Sequence, residues 1–539
     1  MKNKSTTMYG NIVSLDESPI TENLLYVGTD DGLMHVSENA GNNWTKFEKF
    51  KGIPEFTYVN SLVASQHKSN RVYAVFNNHK KGDFTPYVMV SNDKGISWKS
   101  IASNLPIRGS VYDIAEDHED ENLLFVGTEF GVYFTYNGGL EWKQLKNGLP
   151  TIAVRDIEIQ KRENDLVIAT FGRSFYVLDN YSPLRELKNE ISSKSHIFPI
   201  KNSLMYIDSR PLGSRGKGSQ GESYFTASNP PLGSVIRYFF NDTLKTQKKI
   251  RQEIEKKKIK SNLDVVYPKL GNLIIEDNEE KPYLIFTIFD ENGVEIRKMI
   301  ESPKIGLNQL VWNFRLTPQS NISLKISKPG RYSESNNGPL ALPGKYFITM
   351  HKVVNGKAIL MEDKTPFECD WLNKLTIPVE NKDSLLTFQI KVDKLRKAID
   401  ASSEVIKNNK KSINYIKSAF KTYPNLDLSY LDTINSLEYL INKIEIKLSG
   451  NPSLSKRDIE QKESVSSKVG IIIWNMWRSR SKPTATNKFL YESASIDFKS
   501  LIVEIKVLEN NIKAIESYLE ENKVPFTPGR GLILDWKKE

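Results

Sequence analysis

The chain has 539 residues, 39% hydrophobic and 26% charged, with a formal net charge of +10; that length exceeds one core and predicts roughly three or four domains. Its single cysteine, Cys369, excludes internal disulfides and a cysteine-based metal site, and no run reaches the roughly 18 apolar residues of a membrane span. The opening residues, Met1 to Gly10, lack the apolar stretch of a secretory signal. The excess lysines sit in Glu-alternating runs such as Lys248 to Lys258, which read as a solvated helical face, so no nucleic-acid partner is expected.

From residue 9 to about 182 the sequence repeats. Each unit opens on a short strand (Ile12 to Leu15, Val59 to Leu62, Val111 to Ile114, Val154 to Ile157), continues into a second (Leu24 to Thr29, Arg71 to Phe76, Leu123 to Thr128, Leu166 to Thr170), and a third leads into a hairpin. The best-formed hairpin is Ser91-Asn92-Asp93-Lys94-Gly95-Ile96-Ser97-Trp98. There, Asp93 is expected to bond backbone N–H groups two residues ahead, Gly95 to supply a positive φ, and Trp98 to return to an apolar layer. Ser37 to Trp44 and Thr135 to Trp142 keep the hydroxyl, glycine and tryptophan and place Asn39 and Asn137 where Asp93 stands. Asn39, Gly41, Trp44, Asp93, Gly95, Trp98, Asn137, Gly139 and Trp142 therefore form a structural set.

The tryptophans stand 54 residues (44 to 98) and 44 residues (98 to 142) apart, close to the roughly 40–50 of a four-stranded propeller blade. Residues 1–182 are read as four blades of an incomplete β-propeller. Four are few for a closed ring, so further blades are expected ahead of these or in another chain.

Residues 183–232 read as a linker and docking segment. Its Gly213 to Gly221 run lacks the Lys-Ser/Thr ending of a phosphate-binding loop and reads as a surface loop. Residues 233–378 alternate as strands separated by turns, predicting an immunoglobulin-like β-sandwich with a lysine-rich helix inserted at about 242–260. After Pro378 the period becomes three and four, through Leu385, Phe388, Val392, Leu395 and Ile399, then Leu431, Ile434, Leu437, Tyr439, Leu440 and Ile444, then Ile496, Leu501, Ile505, Leu508, Ile512 and Ile515. This predicts an antiparallel helical bundle over 379–522, with helices near 383–420, 427–448, 464–478 and 486–521, and a C-terminal tail over 523–539. The fold class is thus multidomain, mainly β and then α.

The run Tyr9 to Pro19, the three hairpins, and Thr170 to Asp179 resemble the large bacterial secreted proteins that share the Asp-box (BNR) propeller with sortilin-type receptors. These proteins are commonly labelled glycosyl hydrolases and often occur in Bacteroidetes. The resemblance extends to Tyr224 to Gly233, Asn308 to Arg315 and Val524 to Arg530. It implies a secreted or periplasmic location, further N-terminal blades, Asp boxes on the periphery away from the central channel, and a channel that binds peptide in the sortilin-type members.

Residues that repeat serve the fold, so chemistry is sought where the repeats differ. Asp113 and Asp156 occupy equivalent places on two inner strands and are read as structural. The channel-facing candidates are Tyr112, Glu129, Arg155 and Arg173. The stretch Asn77 to Tyr87 replaces a short turn of the other blades, and its His79 and Asp83 suit a binding loop. The six histidines show no metal-ligand spacing, and no metal or cofactor is expected. Glycoside hydrolysis needs two carboxylates flanking the bond; the sialidase Phe-Arg-Ile-Pro motif is absent and no catalytic set can be assigned. The expected function is a scaffold binding an extracellular peptide or glycan, the alternative a secreted glycoside hydrolase of sialidase or xyloglucanase type completed by other blades.

Overall fold

The computed structural model describes residues 10–187, 194–207, 229–322, 338–372 and 382–530; the glycine-rich run at 213–221 lies outside them. Two compact units result: the first runs to Phe198 and includes Phe239–Asn241, and the second holds the remainder.

In the first unit, four antiparallel sheets follow one another, each with its strands in chain order. The first three have four strands and the last has three. The inner strands are Ile12–Glu17, Tyr58–Ala64, Val111–Glu116 and Val154–Gln160, and each packs beside the next in a propeller-like array. Every inner strand slips register at the same place: Ile12/Ser14, Val59/Ser61, Val111/Asp113 and Val154/Asp156. A bulge re-aims the residue it leaves unpaired. Those residues are Val13, Asn60, Tyr112 and Arg155.

The residues just past the bulge bind neighbouring sheets together. Ser14 Oγ accepts from the Leu62 N–H at 2.7 Å, and the Asp16 carboxylate accepts from the Ala64 N–H at 2.7 Å. Asp113, equivalent to Ser14 in register, accepts from the Ile157 N–H at 2.8 Å. Gly28 and Gly127 permit this approach, since a Cβ there would lie 2.5 Å from Val59 Cγ1 and 2.8 Å from the Val154 carbonyl oxygen.

The three hairpins share one bonding scheme. Gly41, Gly95 and Gly139 donate backbone N–H to Ser37, Ser91 and Thr135 hydroxyls at 2.8, 2.8 and 3.1 Å. Asn39, Asp93 and Asn137 each accept through Oδ1 from a backbone N–H four residues ahead, on Asn43, Ser97 and Glu141. The expected reach of two residues is therefore corrected to four. The chain passes through two consecutive left-handed residues, Lys94 (φ 56°) and Gly95 (φ 93°) in the second hairpin, and the side chain spans that turn. One acceptor oxygen suffices, which explains why Asn replaces Asp93 in two copies.

The tryptophans do not all return to an apolar layer. Trp142 is buried and donates Nε1–H to the Ile101 carbonyl at 2.7 Å; Trp98 packs edge-on against Phe50; Trp44 remains 42% exposed. Each hairpin leans on the preceding sheet: Gly95 lies against Met34 and Gly139 against Ile101. The first hairpin has no preceding sheet among the described residues, and its Trp44 lies against its own Gly41.

The predicted linker is partly structured. Pro183–Glu186 forms a helical turn held by Arg185, whose guanidinium donates twice to the fully buried Asp117 carboxylate at 2.8 Å each, while the Tyr181 hydroxyl donates at 2.5 Å.

In the second unit, strands Ser203–Met205, Lys357–Trp371, Gly344–Val354, Tyr283–Phe289 and Glu295–Glu301 form one sheet in that order, the first pair parallel and the rest antiparallel. Ser234–Tyr238, the part of its strand in this unit, and Gly306–Trp312 belong to neighbouring strands of another. Trp312 is buried among Phe314, Tyr346 and Phe367. Between the first strands lie two helices, Gln247–Lys260 and Leu270–Asn278; the second was not foreseen, being too short and weakly periodic. Helices Lys382–Thr422, Tyr430–Ser449, Val465–Met476 and Ala485–Glu521 pack around a common core. Tyr439 (74% exposed) and Ile496 (68%) lie off the apolar stripe, and Ala494 takes the buried position instead. No helix among the described residues is long and apolar enough to cross a membrane.

Candidate functional site

The four inner strands line an open cavity of about 550 Å³, with Asp16, Glu17, Asp113, Glu116, Asp156 and Glu158 among its residues and Arg155 and Lys161 as its cationic ones. A smaller cavity of about 210 Å³ shares Asn60 and Arg155 with it and is otherwise built from Phe56, Tyr58 and the run Asn77 to Lys81. One space is rich in carboxylates. The other is lined by His79, Lys80, Lys81 and Arg155 and by no carboxylate among the described residues.

Arg155 stands where the two meet, aimed by its bulge. Its guanidinium carbon lies 3.7 Å from the Tyr112 ring centre and 5.2 Å from that of Phe171. This stacking holds the plane while leaving the N–H groups free; no hydrogen bond or ion pair from Arg155 forms among the described residues. The Tyr112 hydroxyl donates to Glu129. Burial and then that bond push the Tyr112 phenol up to about 12, so it stays a donor at neutral pH.

His79 is set by the insertion that lengthens the second repeat. Asn77 Oδ1 accepts from the His79 N–H at 3.1 Å and meets Nδ1 at 2.5 Å, with the ring edge-on to Tyr112 at 6.5 Å. Burial, then Arg155 and Lys80, lower the His79 pKa. The Asn77 amide nitrogen is buried without a full hydrogen bond. Lys80 lies over the Tyr58 ring at 5.7 Å, and Lys81 donates to the Glu55 carbonyl at 2.9 Å.

Asp83 sits at the base of the loop rather than in the cavity. It accepts from Asn78 Nδ2 (3.1 Å), the Thr85 N–H (3.0 Å) and the Tyr87 hydroxyl (2.8 Å). Burial opposes its ionisation, but these bonds hold the carboxyl down at about 2. Arg173 is exposed and lines neither cavity. The structure therefore brings together His79, Tyr112, Glu129 and Arg155, gives Asp83 a supporting place, and leaves Arg173 outside. Asn60, Phe56, Tyr58 and Phe171 join the site without having been singled out, and Asn77 opens the stretch read as a binding loop. Asn60 could have been found, because it occupies the same variable position before the repeated Ser/Asp as Tyr112 and Arg155.

In the carboxylate-rich cavity, Asp113 is the distinctive group. Burial raises its carboxyl to about 7 despite bonds from Ser61 and the Ile157 N–H, and Asp156 adds repulsion. Asp16 and Glu158 are also raised, chiefly by burial. Glu116, wholly buried, accepts from Ser65, Tyr73 and the Gln66 N–H, so it secures the second sheet.

No family model matches the chain, and no curated protein matches it. Solved structures similar to parts of it include YCF48 from Cyanidioschyzon merolae (14% identical, 31% of this chain and 53% of that one, TM-score 0.24) and YCF48 bound to D1 peptide (15%, 32% and 52%, TM-score 0.26). A GH74 xyloglucanase from Xanthomonas campestris (11%, 32% and 29%, TM-score 0.25) and an ancestral GH74 enzyme (13%, 66% and 40%, TM-score 0.26) are similar at the same level. The chain spans about half the length of the first of these and less of the GH74 structures. The similar structures are β-propeller proteins.

Proposed function

We propose that the first unit is a propeller scaffold that binds an extended ligand, a peptide or a glycan, along the axis of its four inner strands. The observation that carries this reading is that two bulge residues, Asn60 and Arg155, line both adjoining cavities, with a third, Tyr112, stacked against Arg155 and the His79 loop walling the smaller one. Rigid strands position the donors and a loop completes the wall, as in binding sites generally. The resemblance to secreted Asp-box proteins adds a secreted or periplasmic location and partner blades beside these four. On the same reading, the β portion of the second unit is an immunoglobulin-like spacer and the helices are a bundle packed as an accessory domain.

Asp113 favours a second reading. A carboxyl titrating near 7 beside a second carboxylate is the environment of a general acid in glycoside hydrolysis, and residues of adjoining blades would supply the rest.

The test is a binding and hydrolysis screen against peptide and glycan arrays, with Arg155→Ala and Arg173→Ala in parallel. The binding reading expects Arg155→Ala to weaken the ligand tenfold or more and Arg173→Ala to leave it unchanged. Loss on neither substitution overturns the placement of the site. Glycan cleavage abolished by Asp113→Asn would support the hydrolase instead.

A further inference from the structure

Resting on the binding reading above, we infer that the smaller cavity takes a carboxylate, received by Arg155 with the Asn77 amide and the His79 and Lys80 side chains around it. Four observations lead there. Arg155 presents its N–H fork unpaired while Tyr112 and Phe171 hold its plane, the geometry that suits bidentate capture of a planar anion. The acidic residues nearest this wall are already engaged, Asp83 by the Asn78 amide and the Tyr87 hydroxyl and Glu129 by the Tyr112 hydroxyl. Asn77 also lines the cavity, and its buried amide nitrogen, beside the Tyr112 hydroxyl, adds a donor dipole to a wall that has no carboxylate of its own. The space, about 210 Å³, is below the roughly 300 Å³ of a whole-ligand site and fits a terminal or pendant group.

The adjoining larger cavity gives this inference a direction. Its charged lining is mostly acidic, with Asp16, Glu17, Asp156 and Glu158 against Arg155 and Lys161, which disfavours a carboxylate there. The ligand therefore enters with its anionic group at the His79 mouth and a neutral or cationic body along the axis. Arg155, common to both spaces, marks the boundary.

A peptide C-terminus and a uronic acid supply the same chemistry, so the experiment separates them. The full chain is titrated by isothermal calorimetry with a pool of N-acetylated tripeptides bearing free C-termini, the same pool amidated, tri-galacturonate, and neutral cello-oligosaccharides. Binding of the free-acid peptides at least tenfold tighter than their amides, or of tri-galacturonate over the neutral sugars, is expected, and whichever acid binds identifies the source. Arg155→Ala and Arg155→Lys should each weaken it about tenfold or more, while Arg173→Ala should not. Added salt should weaken it further.

If amidated peptides or neutral sugars bind as tightly as the acids, and still need Arg155, the carboxylate inference falls and the binding reading stands. If nothing binds in any arm, both fall. Asn77→Asp, which replaces a donor with a charge of the ligand's own sign, should abolish acid binding; intact acid binding by that variant also overturns the inference. Near-ultraviolet circular dichroism checks that each variant is folded.

Discussion

Substituting Asp113 by Asn should make the first unit more stable at alkaline pH and leave it nearly unchanged in acid. Asp113 lies between two inner strands and accepts from the Ile157 N–H at 2.8 Å, a bond that an Asn Oδ1 can keep. Its carboxyl is raised from 3.8 to about 7, by burial first and by Asp156 among the opposing and supporting neighbours. The folded state therefore holds a proton that the unfolded chain has released between about pH 4 and 7, and stability falls as pH rises through that window. About three pH units at about 1.4 kcal/mol each set a ceiling near 4 kcal/mol. Water entering the cavity screens part of it, leaving about 2–4 kcal/mol at pH 8. Hydrogen exchange of the strand Val154–Gln160 reads this locally, independent of the second unit. Asp113→Asn should slow exchange roughly thirtyfold to a thousandfold at pH 8 and change it little at pH 4.5. Equal pH dependence in the wild-type chain and the variant would refute the buried-proton argument. Asp156→Asn should move the Asp113 titration down by a smaller amount.

Asp117→Ala leaves Arg185 and the Tyr181 hydroxyl without their shared acceptor and should cost about 3–5 kcal/mol; hydrogen exchange at Leu184 and Arg185 should accelerate, whereas Arg162→Ala, at an exposed pair, should have little effect. Burial opposes the Asp117 charge, but Arg185 and Tyr181 lower its pKa below 3.8, so this stabilisation is present above about pH 4 and is lost as pH falls through the lower folded value. Gly139→Ala should destabilise more than Gly41→Ala in thermal melts. Both have positive φ, but the new Cβ would meet Ile101 Cβ at 2.7 Å and its carbonyl at 3.0 Å, against 3.3 Å from the edge of the exposed Trp44 ring. Asp93→Asn should cost under about 1 kcal/mol and Asp93→Ala about 1–2 kcal/mol, neither altering ligand binding; a binding defect in Asp93→Asn would return that residue to the site.

Sequence alone was informative wherever the determining forces act within about ten residues. Strand alternation, hairpins with hydroxyl, Asx and glycine at fixed offsets, and the three-and-four spacing of Val392 and Ile399 or Leu501 and Ile505 are local patterns, and the described strands and helices follow them. The same locality explains the failures. Whether Trp44 is covered depends on a sheet preceding its hairpin, and Ile496 looked as periodic as its neighbours until the partner helices selected Ala494.

The site divides along that line. Comparing repeats was enough to separate Asp93 as a fastener and to point to Tyr112 and Arg155 as residues that differ. Only the tertiary structure decided that a common bulge places Asn60 and Arg155 in the lining of both cavities with Tyr112 stacked on Arg155, that the loop carrying His79 walls the smaller one, and that Asp83 and Arg173 line neither. These side chains come from strands 40 to 100 residues apart in sequence. Their meeting follows from how successive sheets stack around the axis, a packing consequence that no local pattern encodes.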